Sequence, residues 1–167
     1  MKKHVIVNYF VILQSEKAQK KMGRIMAIDY GRKRTGLAVT DELQLIATGL
    51  ATVETHRLMS YLDDYVKRED VERFVVGEAK HLDNTPSESS HYIEPFVVEL
   101  GKRYPAILID RIDERFTSKL AFQSMIDGGL SRKQRQNKGL IDTVSAVLML
   151  QNYMQKLEFE KNRKIQP

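Results

Sequence analysis

At 167 residues the chain has the length of one domain built around one sizeable core. A hydrophobic share of 42% and a charged share of 29% are those of an ordinary globular protein and give no sign of a disordered or membrane protein. The absence of cysteine excludes disulfides and thiolate metal sites and fits a reducing compartment, the cytoplasm. The net charge of +5 tolerates nucleic acid as a partner without requiring it.

Residues 1–21 open with Lys2 and Lys3 and an apolar run, Val5 to Leu13, too short to span a bilayer. They read either as an extension ahead of a domain that starts at Met22, or as an extra edge strand over Val5 to Leu13. Arg24 to Asp29 and Gly36 to Val39 are apolar runs joined by a Gly-containing turn, Tyr30 to Arg34, which predicts an antiparallel hairpin. Ile46 to Val53 suggests a third strand. Leu58, Tyr61, Leu62, Tyr65 and Val66 recur at helical spacing between His56 and Glu69. Phe74 to Val76 makes a buried strand ending at Gly77, and residues 80–90 carry loop signals in Asp83-Asn84 and Pro86. A helix is expected from near Ser87 to Arg103, and a buried strand over Ala106 to Ile109. Another helix follows over Phe116 to Ile126, stopped by Gly128-Gly129, and a last one from about Leu140 to Leu157. A strand meander followed by alternating strands and helices is an α/β domain with a mixed central sheet. The domain covers 22–157, with a charged tail over 158–167.

Three acids stand at informative places. Asp29 ends an apolar strand, and Asp113-Glu114 follow the strand Ala106 to Ile109, among Asp110, Arg111 and Arg115. Turn capping and a solvated ion-pair cluster are the ordinary explanations of these two. Asp142 differs, because Leu140 to Leu150 is apolar almost all round and predicts a buried helix. A carboxylate in its first turn gains about 0.3–1 kcal/mol from the helix dipole, less than the cost of burying an unpaired charge. Asp142 therefore needs a cation, an arginine or an exposed edge. The small Ser145 and Ala146 would let this helix approach the sheet. Carboxylates gathered from two strand ends and a helix make a hard-oxygen site for Mg²⁺ or Mn²⁺, suited to phosphodiester hydrolysis. Basic residues flank the acids: Arg32, Lys33 and Arg34 after Asp29, and Arg132, Lys133, Arg135 and Lys138 before Asp142. They suggest a cradle for a nucleic-acid backbone.

Asp29 to Asp41, DYGRKRTGLAVTD, resembles the first motif of the YqgF (RuvX) family of pre-16S rRNA nucleases. Asp113 to Ser118, DERFTS, resembles its Asp-Glu-Arg motif, and Lys138 to Asp142, continuing to Ala146, its C-terminal helix motif. The resemblance covers about residues 23–155. It implies an RNase H-like fold related to Holliday-junction resolvases, a divalent metal, and trimming of the 5′ end of pre-16S rRNA in the bacterial cytoplasm. It implies that Asp29, Glu114 and Asp142 are catalytic and bind the metal, with Asp113 a secondary candidate and Arg115 among the nucleic-acid contacts. Glu78 departs from the Leu-Pro that often follows Val-Val-Gly in the family. It stands where related resolvases place a glutamate, and reads as a loop residue rather than a fourth ligand. Two other functions remain open: a DNA junction resolvase, normally dimeric, and a non-catalytic RNA-binding assembly factor. Monomer and dimer are both compatible with the sequence, and an actin-like ATPase would need a longer chain.

Overall fold

A computed structural model describes residues 22–78, 87–113 and 117–165. Among the described residues five strands form one sheet: β1 (Arg24–Tyr30), β2 (Arg34–Thr40), β3 (Ala47–Glu54), β4 (Val71–Glu78) and β5 (Leu108–Asp113). The order across the sheet is β3-β2-β1-β4-β5. The first three strands form an antiparallel meander, and β1, β4 and β5 run parallel. Parallel neighbours need crossovers. These contain α1 (Leu58–Val66), preceded by a 3-10 turn at Thr55–Arg57, and α2 (Ser90–Arg103). The chain then continues through α3 (Thr117–Asp127), the single-turn α4 (Arg132–Arg135) and the long α5 (Lys138–Ile165).

The two faces of the sheet are filled differently. Met26, Ile28, Leu37, Val39, Phe74 and Val76 pack against α1 and α2, through Leu58, Leu62, Ile93, Phe96 and Leu100. The other face is made of Ile25, Ala27, Ala38 and Val75 beneath Ala146, Met149, Leu150 and Tyr153 of α5. Strand residues alternate between faces, and on the α5 side β1 and β2 present Ala27, Gly36 and Ala38. A helix can approach the small side closely. Helix α3 packs on the outside of α5, burying Ala121 and Met125. Among the described residues no helix is long and apolar enough to cross a membrane.

The strand expected over Ala106 to Ile109 lies further along. Tyr104 to Ile107 make a turn, closed by the Ile107 N–H on the Tyr104 carbonyl, and β5 pairs with β4 from Arg73↔Leu108 to Glu78↔Asp113. Asp110 to Asp113 therefore belong to the sheet and not to a surface cluster beyond it. Partners make these charges tolerable. Asp110 accepts from Arg73 and the Tyr153 hydroxyl. Burial and the bond to Asp110 push the Tyr153 hydroxyl up to about 12. Arg111 donates to Glu94 at 2.9 Å and to the Gly77 carbonyl at 3.1 Å. Helix α5 begins two residues before Leu140 and carries on through the charged end to Ile165.

On the surface, Asp63 of α1 accepts from Arg103 Nε at 2.8 Å and from the Tyr104 hydroxyl at 2.7 Å, tying α1 to the end of α2. Arg103 and then Tyr104 hold its carboxyl down at about 2, against about 3.9 in an unfolded chain. The stabilisation is complete above the unfolded value and is lost as pH falls through about 2. The melting-temperature gap between wild type and Asp63→Asn should therefore stay constant from pH 7 to about 4 and narrow below that. A gap unchanged down to pH 2 would show that the charge on Asp63 does not contribute.

Candidate active site

Asp29 is the penultimate residue of β1. Ile25 and Ala27 face α5, so alternation puts Asp29 on that same face. Its register partner on β2 is Gly36, and Gly36 is where α5 comes closest. A Cβ there would overlap the Asp142 carbonyl oxygen. Strand glycines often mark such an approach of another backbone, and no ordinary side chain would fit. On β3 a Cβ at Gly49 would meet Thr143 at 2.6 Å. Thr52 donates to the Gly139 carbonyl at 2.6 Å and pairs with the Thr143 hydroxyl at 2.7 Å. The first turns of α5 are thus set down on β2 and β3 by two glycines and one threonine. Asp142 comes over the strand paired with the one that carries Asp29.

The carboxylate of Asp142 is only a quarter exposed and needs compensation. Arg34 supplies it: the first residue of β2 donates Nε–H to Asp142 Oδ2 at 2.8 Å. Of the three kinds of compensation the sequence demands, an arginine is present. The dipole contributes less than expected. With α5 starting at Lys138, Asp142 lies in the second turn rather than the first. Sequence reasoning assigned Arg34 to the turn and to phosphate binding, and missed Gly36, Gly49 and Thr52. A glycine inside a short apolar strand was the available signal for Gly36.

The basic residues surround this place along the chain. Arg32 and Lys33 are exposed in the bend between β1 and β2. Arg132 and Lys133 are exposed on α4, whose start is fixed by a capping box of Ser131 and Gln134. Arg135 is half-buried, with its guanidinium 5.8 Å from the centre of the Phe122 ring. Lys138 is exposed and four residues before Asp142, on the same side of α5. Glu114 and Arg115 lie outside the described residues, so the full triad of acids is not described. Among the described residues no three His, Asp or Glu side chains gather as a metal cluster. Glu78 and Asp113 end β4 and β5 side by side. Alternation puts Glu78 with Phe74 and Val76, on the face away from Asp29.

A mixed β3-β2-β1-β4-β5 sheet with helices on both faces, and an acid at the end of its central strand, is the RNase H-like α/β arrangement. Within that class the chain belongs to the RuvX family, whose model, described as Holliday junction resolvase, matches residues 23–156. A Flavobacterium johnsoniae protein provisionally named a pre-16S rRNA nuclease is 54% identical over 138 residues, covering 83% of this chain and 100% of the relative. A Parabacteroides distasonis protein of the same name is 52% identical over 139 residues, covering 83% and 99%. Thermus thermophilus RuvC, solved in complex with a Holliday junction substrate, is similar in fold, with a TM-score of 0.51 at 18% identity. That match covers 80% of this chain and 96% of RuvC.

Gly36→Ala should force α5 off the sheet at Asp142 and destabilise the protein by about 3 kcal/mol or more, since backbone yields less readily than a side chain. Urea unfolding measures this, and a loss under 1 kcal/mol would mean that α5 does not sit so close.

Proposed function

We propose that the chain is a metal-dependent endonuclease that hydrolyses phosphodiester bonds and matures the 5′ end of pre-16S rRNA. The observation that carries the reading is the placement of Asp29 and Asp142 on one face of the sheet, across Gly36, in a chain of the RuvX family. The names of the relatives from Flavobacterium johnsoniae and Parabacteroides distasonis supply the substrate. The donor chemistry fits a divalent cation: both acids offer hard oxygens, and a cationic group, the Arg34 guanidinium, already stands against Asp142. Asp29, Asp142 and Glu114 hold Mg²⁺ or Mn²⁺, Glu114 by resemblance to the family. Bound there, such an ion would supply activation of a water and stabilisation of the leaving oxygen.

The chain's own residues do the rest. The β1–β2 pairing fixes Asp29 at a rigid strand end, and the seat of α5 on β2 and β3 fixes Asp142. Arg32, Lys33, Arg132, Lys133, Arg135 and Lys138, with Arg115 by resemblance, draw in the phosphate backbone and hold it over the acids. The domain proper spans 22–157, and the site of action is the cytoplasm. A second reading has one observation in its favour, the family's description as Holliday junction resolvase: the same site would cut branched DNA.

Cleavage of a labelled pre-16S rRNA 5′-leader fragment and of a four-way DNA junction, with Mg²⁺, Mn²⁺ or EDTA, separates the readings. RNA is cut with metal only, and Asp29→Asn or Asp142→Asn lowers the rate at least about 100-fold while the fold is kept. Junction cutting alone would move the chain to the resolvases. Cleavage that survives both substitutions would remove these acids from the chemistry. Neutralising Arg132, Lys133 and Arg135 together should also weaken RNA binding and flatten its salt dependence, by up to about 0.7 in log–log slope per lost phosphate contact. An unchanged slope would place the RNA elsewhere on the surface.

A further inference from the structure

Arg34 and Asp142 are separated by 108 positions in sequence and meet only because α5 docks on β2. The contact runs through one nitrogen, Nε, rather than the two-bond fork by which a guanidinium holds a carboxylate most firmly. It is also open to water, with the side chains 39% and 25% exposed. Such a pair adds little to stability, and Asp142 without it would still be reached by solvent. The bond offsets the charge of Asp142, and in doing so it occupies an oxygen of an acid proposed to bind metal. A divalent cation and a guanidinium on one carboxylate repel each other, so the stronger charge displaces the weaker. Glu54 is the register partner of Arg34 on β3. Glu54 is already engaged by Arg57 at 3.5 Å, with His56 at 3.7 Å. Arg34 directly follows the exposed Arg32 and Lys33 in the chain, so a released guanidinium would join their basic surface.

Resting on the nuclease reading above, we propose that Arg34 is a positioning residue that holds the Asp142 carboxylate while the site lacks metal, and on metal binding turns to a nucleic-acid phosphate. The same guanidinium thus serves two anions in succession. Metal and nucleic acid become linked through it, each raising the affinity for the other, as linkage requires. A plain phosphate contact would act equally with and without metal. A plain structural prop would stabilise the metal site instead of competing with it.

The test uses the full chain and two equilibrium readouts. Mn²⁺ is titrated calorimetrically into wild type, Arg34→Gln, Arg34→Lys, Asp29→Asn and Asp142→Asn. Binding of a short RNA is then measured with EDTA and with Ca²⁺, which replaces Mn²⁺ to hold cleavage off. Arg34→Gln should bind Mn²⁺ about two- to five-fold more tightly, the range expected from removing one exposed ion pair, with Arg34→Lys in between. Its RNA affinity should match wild type in EDTA and fall below it in Ca²⁺, with a salt slope shallower by about 0.7. Unchanged or weaker Mn²⁺ binding by Arg34→Gln would overturn the proposal, as would an RNA defect of equal size with and without metal. Those results count against Arg34 alone if Asp29→Asn and Asp142→Asn have lost Mn²⁺. If both still bind it like wild type, the metal-site reading itself has failed. Thermal melts of each variant confirm that the fold is retained.

Discussion

The structure turns on a backbone-to-backbone contact: the second turn of α5 lies directly on β2, with nothing but the hydrogens of Gly36 between the strand and the Asp142 carbonyl. Close to that contact the sheet stays small on the helix side. Ala27 and Ala38 lie under the helix where the opposite face has Ile28 and Leu37, and Thr52 reaches the Gly139 carbonyl because the strand–helix gap is so small. The attraction comes from further along α5, where Met149, Leu150 and Tyr153 are buried, each worth roughly 1.5–3 kcal/mol. The apolar half of the helix supplies the adhesion, and the glycines of β2 and β3 supply the proximity that brings an acid to the strand end.

Charges inside the sheet divide into two kinds. Arg73, Asp110 and Tyr153 close a partly buried network between β4, β5 and α5. There burial raises the carboxyl of Asp110, but the bonds from Tyr153 and Arg73 outweigh it and hold it below the usual range. Removing one member would leave another buried without compensation, a costly change. Arg34 and Asp142 make a looser pair through a single bond. Rigid compensation between β4, β5 and α5 and exchangeable compensation at the start of β2 suit a scaffold on one hand and a working site on the other.

The meander and the alternation of strands and helices were readable because their hydrophobic runs are short, apolar and bounded by glycine and polar turns. Asp142 was found by the same logic, as a charge in an apolar helix. The position of β5 was not readable. Its strand contains Asp110, Arg111 and Asp113, and a charged stretch reads as surface unless the ion partners on β4, α2 and α5 are known. The role of Arg34 was hidden for a related reason, since an ion pair that spans 108 positions has no local pattern. Gly36 lay between the two cases. A glycine in a strand signals a close approach without saying what approaches. Glu114 and Arg115, identified by their motif, lie outside the described residues.

The order of the elements has a consequence for when activity can appear. The sheet needs β1 to β5, and the meander at its start is joined by short, local connections, so the N-terminal part can order first as the chain is synthesised. Asp29 is then already at its strand end. Asp142, Arg34's partner, arrives only with the last helix, whose apolar segment, Ala146 to Tyr153, must emerge and dock before the acid is held in place. A chain cut short before α5 keeps Asp29 at its strand end and lacks both Asp142 and the helix that seats it.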